Sequence, residues 1–293
     1  MTNETPSPTR SVTRLAWREG VFSQGERVIP EETAVSLVYD GGSHAVMMAS
    51  PADLGDFAVG FSLTEGIIAS PDDIAEFERV DHDEGIELRL WLKGDRGAAL
   101  GARRRMLAGP TGCGLCGIDS LAEAVRKPRA IESAATFSPA DVEAALASLP
   151  SAQELGRLTR AVHAAGFWTK ADGLLALRED VGRHNALDKL AGALAASDAV
   201  AGADVATTGK ADGAVTSALP GILVLTSRIS VEMVQKAAMI GAPVVVAVSA
   251  PTALAVRIAG EAGITLIGVA RSDGFEIFTH PHRIVPERLA HVA

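Results

Sequence analysis

The sequence predicts an α/β protein in two parts, a small α+β unit followed by a larger unit built on a largely parallel sheet. Three observations carry this. In the second half, strand-length apolar runs at Leu174–Leu177, Ile222–Thr226, Val244–Val248 and Ile264–Val269 alternate with helical stretches near Val181–Ala196, Val231–Ile240 and Ala253–Glu261. Continuous apolar strands separated by helices indicate a sheet covered on both faces. In the first half, alternating strand patterns surround a single helical pattern. Between the halves, a glycine-rich stretch holds both cysteines of the chain.

The elements follow in order. Residues 1–10 are polar with two prolines and are expected to be disordered. Val12–Phe22 and Thr33–Tyr39 read as strands, and Asp40-Gly41-Gly42-Ser43 as a hairpin turn returning through Ala45–Ala49. Pro51–Ile68 has helical spacing at Leu54, Phe57, Ala58, Phe61 and Ile68. Ile74–Val80 and Ile86–Leu92 complete the small unit, which is assigned residues 11–130 and ends in the cysteine loop. The α/β unit takes 131–293. It opens with Ser138 as a helix cap, Pro139 at the first helical position and Asp141 in a capping-box place, on a helix to about Leu149. A second helix is expected from Ser151 to Ala165, and Phe275–Thr279 as a last edge strand. Ser197–Leu219 lacks periodicity and reads as an inserted loop.

Composition narrows the function. The chain has 293 residues, is 47% apolar and carries a net charge of −9. That length supports a sizeable core, and the charge argues against sequence-independent nucleic-acid binding. No apolar run approaches the length of a membrane span, and the first ten residues lack a signal-peptide core. Two cysteines placed as a reactive pair suit a reducing compartment, so the expected location is cytoplasmic.

The cysteines lie in Gly109-Pro110-Thr111-Gly112-Cys113-Gly114-Leu115-Cys116-Gly117, where four glycines and a proline exclude a regular helix or central strand. Four readings compete. A structural disulfide would close a tiny loop and constrain little. A structural zinc site needs two further ligands. A thioredoxin-type pair usually opens a helix after a strand. The fourth is a reactive cysteine that carries a group, helped by its neighbour. Arg103-Arg104-Arg105 could lower a thiol pKa from nearby, or be a solvated charge run. His82-Asp83-Glu84 imitates a zinc deaminase motif, but Gly112 stands where that motif wants proline and His82 reads as a hairpin tip, so no metal site is expected.

Polar residues also gather where strands meet helices, the usual place for a binding crevice. Asp180-Val181-Gly182-Arg183-His184-Asn185-Ala186-Leu187-Asp188-Lys189 is the densest such stretch, and Arg183, His184, Asn185 and Lys189 together suggest a site. Thr226-Ser227-Arg228 running to a Ser230 cap is a second junction, where Arg228 faces either the same crevice or solvent. Phe275-Glu276-Ile277-Phe278-Thr279-His280 offers two aromatic rings and hydrogen-bonding groups, or simply an edge strand with a polar tail.

These stretches together resemble FdhD, the formate dehydrogenase accessory sulfurtransferases. The resemblance rests on Gly112–Gly117, Asp180–Lys189, Thr226-Ser227-Arg228 running into Glu232-Met233-Val234-Gln235-Lys236-Ala237, Ala250-Pro251-Thr252, and Phe278-Thr279-His280. It implies a cytidine deaminase-like three-layer αβα domain behind the smaller α+β domain, without the deaminase zinc. It implies a sulfurtransferase that takes sulfur from a cysteine desulfurase as a cysteine persulfide. The sulfur passes to the molybdenum or tungsten bis(molybdopterin guanine dinucleotide) cofactor needed by formate dehydrogenase, bound as a substrate. By motif position Cys113 is the persulfide cysteine and Cys116 its partner. Phe275, Glu276, Ile277, Phe278, Thr279 and His280 correspond to the stretch assigned to the guanine dinucleotide. From what a flat base and a pyrophosphate need, the same stretch is expected to cap the crevice at Arg183 and Arg228. The partners implied are the desulfurase, formate dehydrogenase and the molybdenum cofactor, with a homodimer as a candidate assembly and neither nucleic acid nor membrane. One departure is Thr159-Arg160-Ala161-Val162-His163-Ala164, where many relatives have Thr-Gly-Gly before His-Ala. A cofactor-holding chaperone without catalysis and a thiol–disulfide oxidoreductase are the competing functions.

Overall fold

A computed structural model describes residues 6–94, 128, 130–197, 216–217 and 219–286. The chain opens with a hairpin, β1 (Thr9–Arg18) and β2 (Val21–Pro30). Sequence patterning expects one strand over Val12–Phe22, but Glu19 (φ 51°) and Gly20 (φ 82°) both take left-handed conformations and turn the chain back. Two such residues make the tight turn whose twist matches a hairpin. Glutamate is an uncommon choice there, which is why the turn is hard to read. β1 also begins at Thr9, paired with Pro30, inside the stretch expected to be irregular.

The small unit comprises β3 (Thr33–Tyr39), β4 (Gly42–Ala49), α1 (Leu54–Thr64), β5 (Ile74–His82) and β6 (Gly85–Leu92), with sheet order β4-β3-β6-β5. The alternation of β6 is complete: Ile86, Leu88, Leu90 and Leu92 are buried while their neighbours are half-exposed. α1 lays Leu54, Phe57, Ala58 and Phe61 onto that face. The helix is shorter than expected because Asp53, just ahead of it, is left-handed (φ 53°) and Gly66 (φ 69°) follows it.

The large unit runs β7 (Ile131–Glu132), α2 (Pro139–Ala152), α3 (Glu154–Thr159), β8 (His163–Thr169), β9 (Gly173–Asp180), α4 (Arg183–Ala195), β10 (Thr216–Ser217), β11 (Ile222–Leu225), α5 (Val231–Ile240), β12 (Val244–Ala247), α6 (Ala253–Glu261), β13 (Thr265–Arg271) and β14 (Gly274–Ile277). Its six-stranded sheet has the order β14-β13-β12-β11-β8-β9. β11, β12 and β13 are parallel, whereas β8, β9 and β14 run antiparallel to their neighbours. The sheet is therefore mixed. Leu223 and Leu225 face α4, α5 and α6, while Ile222 and Val224 face α2, so helices cover both sides. Ser138 caps α2 through a complete capping box with Asp141, as its sequence predicts.

One expected element is wrong. The helix proposed over Ser151–Ala165 ends at Thr159, Arg160 closes it with a left-handed φ of 57°, and β8 follows. His-Ala-Ala-Gly-Phe-Trp-Thr has weak local preference for a strand, and its central residues are buried between α2 and α4. A Cβ on Gly166 would stand 2.8 Å from a Leu149 methyl, so the small residues let the helix approach. Tertiary packing decides this segment.

Candidate functional site

Most of the Asp180–Lys189 motif ties the two units together. Lys189 Nζ and Asp180 Oδ2 are 2.7 Å apart with both side chains fully buried. Asp180 Oδ2 also accepts from the Ser50 amide at 3.0 Å, and Lys189 donates to Ser50 O at 2.9 Å. Asn185 Nδ2 donates to Met48 O at 2.8 Å and to Asp180 Oδ1 at 3.0 Å. Further along the α1–α4 seam, Lys236 Nζ reaches Glu65 at 2.7 Å and Asp188 at 2.9 Å, while Thr64 donates to Asp188 at 2.6 Å. Burial alone would lower the Lys236 pKa, but Asp188 and Glu65 outweigh it and hold the ammonium charged. Asn185 and Lys189, expected beside Arg183 and His184 in a binding site, are thus consumed by the fold.

Arg183 and His184 turn the other way, into the crevice at the end of β9, the start of β8 and the end of β11. Glu232 Oε1 accepts from Arg183 Nη2 at 3.0 Å, meets His184 Nε2 at 2.9 Å and is hydrogen-bonded by Ser230 Oγ. Burial would raise the Glu232 pKa, but bonds from His184, Ser230, its own backbone amide and Arg183 hold the carboxyl far below the usual range. Arg183 Nε is buried and has no hydrogen-bond partner among the described residues. His163 faces Asp180 across the β8–β9 ladder. Burial first, then the positive charge of Arg183, pushes its pKa down, so the imidazole is neutral near pH 7. Arg228 is exposed at the head of the loop into α5 and meets no carboxylate among the described residues. Arg183 and His184 share the Glu232 carboxylate, His163 lies near Arg183, and Arg228 is exposed on the adjoining loop, groups that suit an anionic ligand.

Sequence reasoning places His163 inside a helix and assigns it nothing. No glycine marks the break, because the left-handed turn that ends the helix is made by Arg160 itself. Glu232 belonged to the resemblance only as part of a motif, and nothing local to it announces that it collects Arg183 and His184 from another helix.

Phe275–His280 is only partly where the sequence reading expects it. β14 pairs antiparallel with β13, Gly268 opposite Glu276 and Ile267 opposite Ile277, so it descends from the carboxyl end of the parallel strands toward their amino end. Phe275 and Ile277 pack against the α2-side core. Phe278 is 37% exposed. Its ring lies 3.1 Å from where a Cβ on Gly268 would sit. Thr279 Oγ1 donates to Ile264 O at 2.7 Å and accepts from the Leu266 amide at 2.9 Å. His280 Nε2 meets Gly260 O at 2.9 Å. Thr279 and His280 therefore sit at the start of β13, away from Arg183 and Arg228, and do not cap that crevice. Val269 (φ 52°), in the irregular end of β13, carries real backbone strain because a branched side chain disfavours that conformation. Its amide donates to Ser249 O at 3.2 Å, joining the β12 and β13 loop ends. Cys113, Cys116 and Arg103–Arg105 lie outside the described residues. His82 ends β5 at the β5–β6 hairpin tip, 3.6 Å from Glu87, as a turn residue should.

Fold and site together define a two-unit mixed α/β protein in which Arg183, His184 and Glu232 meet beyond the carboxyl end of β11. A family model described as the FdhD/NarQ family matches residues 30–285. A protein of Agrobacterium fabrum named Sulfur carrier protein FdhD is 52% identical over 277 residues, covering 94% of this chain and 96% of its own length. Its namesake from Cupriavidus necator is 47% identical over 96% of this chain and 92% of its own. A crystal structure from Desulfotalea psychrophila, described as that of a proposed formate dehydrogenase accessory protein, superposes with a TM-score of 0.70 over 95% of this chain and all of its own, at 21% identity. The chain belongs to the FdhD/NarQ family.

Proposed function

We propose that this protein is a sulfur carrier that serves formate dehydrogenase from the cytoplasm. The observation that carries the proposal is the 52% identity, over 94% of the chain, to a relative named as a sulfur carrier protein. In this reading the Cys113 thiolate attacks the terminal sulfur of a persulfide on a cysteine desulfurase. The bond from that sulfur to the desulfurase breaks, a thiolate leaves on the desulfurase, and Cys113 becomes the persulfide. No net redox change accompanies this step. Delivery follows to the molybdenum or tungsten bis(molybdopterin guanine dinucleotide) substrate, before its insertion into the dehydrogenase. Cys116 either stabilises the persulfide by hydrogen bonding or attacks its inner sulfur. Attack would release sulfide and leave a Cys113–Cys116 disulfide, the two thiols supplying both electrons.

For the substrate, this reading uses the crevice. The pyrophosphate is matched by Arg183, by Arg228 and by the α4 amino terminus. His163, neutral and half-buried, can hydrogen-bond a phosphate oxygen without adding charge. In the segment Phe275–His280, the exposed Phe278 ring is the group available to a flat base, since Thr279 and His280 are engaged with backbone. Helices on both faces of a mixed sheet agree with a cytidine deaminase-like architecture, which we take as the ancestry of the large unit. The test is transfer of labelled sulfur. With desulfurase and labelled cysteine, label should appear on this protein and then on the molybdopterin fraction. A holding chaperone would carry none, and a thiol–disulfide oxidoreductase would instead reduce a model disulfide.

A further inference from the structure

β1 and β2 form a sheet of their own, with no third strand among the described residues. A lone hairpin is marginal in water and leaves both edges unpaired. Its base is tied down, with Arg27 Nη2 donating to Thr159 O at 3.1 Å. Its tip is not. Leu15, Trp17, Val21 and Phe22 are 60–66% exposed. The rings of Trp17 and Phe22 lie 4.6 Å apart. The chain has only three tryptophans and 4% aromatic residues, so placing a Trp–Phe pair in solvent calls for a cover.

The two faces differ. The register puts Leu15, Trp17 and Phe22 on one face and Arg10, Arg14 and Arg18 on the other. Arg10 is bound to Glu31 at 2.8 Å. Arg14 Nη1 is buried without a partner among the described residues, and Arg18 is exposed and meets no carboxylate among them. A second copy pairing edge to edge along β1 would offer the exposed Arg18 no carboxylate from this face, whose β1 residues are Arg10, Val12, Arg14, Ala16 and Arg18. An aromatic tip backed by arginines instead fits a different protein with an acidic rim around an apolar pocket. Trp and Arg are the residues that most often dominate such contacts.

We propose that the hairpin tip docks the protein that donates sulfur. This rests on the sulfur-carrier reading above, in which only acceptance joins two proteins, delivery being to a small molecule. The hairpin base is held at Thr159, four residues before His163 in the chain, which fixes the direction in which the tip is presented.

The experiment compares two sulfur sources for one protein: a cysteine desulfurase with cysteine, and glutathione persulfide. The readout is the initial rate of sulfur gain by intact mass. A Trp17→Ser/Phe22→Ser protein should load about ten-fold or more slowly from the desulfurase and at the wild-type rate from glutathione persulfide. Arg18→Glu should slow enzyme-driven loading several-fold and weaken its salt dependence. Wild-type rates from the desulfurase in the double variant overturn the proposal. If the double variant is slow with both donors, Arg18→Glu decides, and unchanged enzyme-driven loading there overturns it. A wild-type dimer that the double variant splits in sedimentation assigns the tip to a second copy and also overturns it. Wild type that loads from neither donor removes the carrier reading, and this proposal with it.

Discussion

At the mouth of the crevice one carboxylate oxygen, Glu232 Oε1, serves Arg183, His184 and Ser230 together. Glu232→Gln keeps the shape and removes the charge, so Arg183 and His184 lose their anchor at a cost of about 1–3 kcal/mol in urea unfolding. The sign with pH is fixed by the depressed pKa. Stability from Glu232 is present above its unfolded value of about 4.5 and is lost as pH falls toward the lower folded value. The variant should therefore lose less stability than wild type below about pH 4.5. His163 acts in a higher window. Its folded pKa lies below the ordinary 6.5, so stability falls as pH drops through that region, because the unfolded chain takes up the proton first. His163→Gln should flatten the stability profile just below pH 6.5, and an unchanged slope there would contradict the buried neutral imidazole. Residues of this kind are hard to read in a sequence. Asp141 beside Ser138 announces its role within three positions, whereas Glu232 and His184 are 48 positions apart and meet only in the fold.

Helices α1 and α4 cross with backbone in contact. A Cβ on Gly60 would stand 1.7 Å from Asp188 O, and one on Gly192 would stand 2.0 Å from Asp56 O. An exposed helical Gly→Ala change usually gains about 1 kcal/mol. Here Gly60→Ala must force backbone apart, and thermal unfolding should show destabilisation of about 3 kcal/mol or more. Lys189→Met on the same seam would leave Asp180 buried without its cation, at about 3–5 kcal/mol by denaturant titration. A neutral outcome for both would mean that the two units are not locked as described. Periodicity revealed α5 and α6 with the bounds observed, because their apolar spacing is local; Thr252 caps α6, whereas Ser230, expected to cap α5, turns its hydroxyl to Glu232 instead. It failed for β8, whose small residues suit either state until α2 and α4 close over them. It also read the Asp180–Lys189 motif as a ligand site, since a dense polar stretch looks the same whether it binds a ligand or another part of its own chain.

The whole molecule holds Arg183, His184 and Glu232 together beyond the end of β11 and presents the tip of the hairpin to solvent, and the cysteines fall outside the described residues. The role proposed for them rests on the resemblance alone. If the crevice takes the guanine dinucleotide, calorimetry should find guanine nucleotides bound more tightly than adenine nucleotides. Phe278→Ala should weaken guanine binding about five-fold or more, since an aromatic stacking partner contributes ~1–3 kcal/mol. Thr279→Ala, by contrast, should lower stability and leave affinity unchanged, because its hydroxyl is held by Ile264 and Leu266. Equal affinity in wild type and Phe278→Ala would take that strand out of the site. The central claim, that Cys113 carries the sulfur, is tested most directly by intact mass after incubation with a cysteine desulfurase and cysteine. Wild type should gain the mass of one or more sulfur atoms, removable by cyanide, and Cys113→Ser should gain none. A Cys113→Ser protein loaded as fully as wild type would contradict the account.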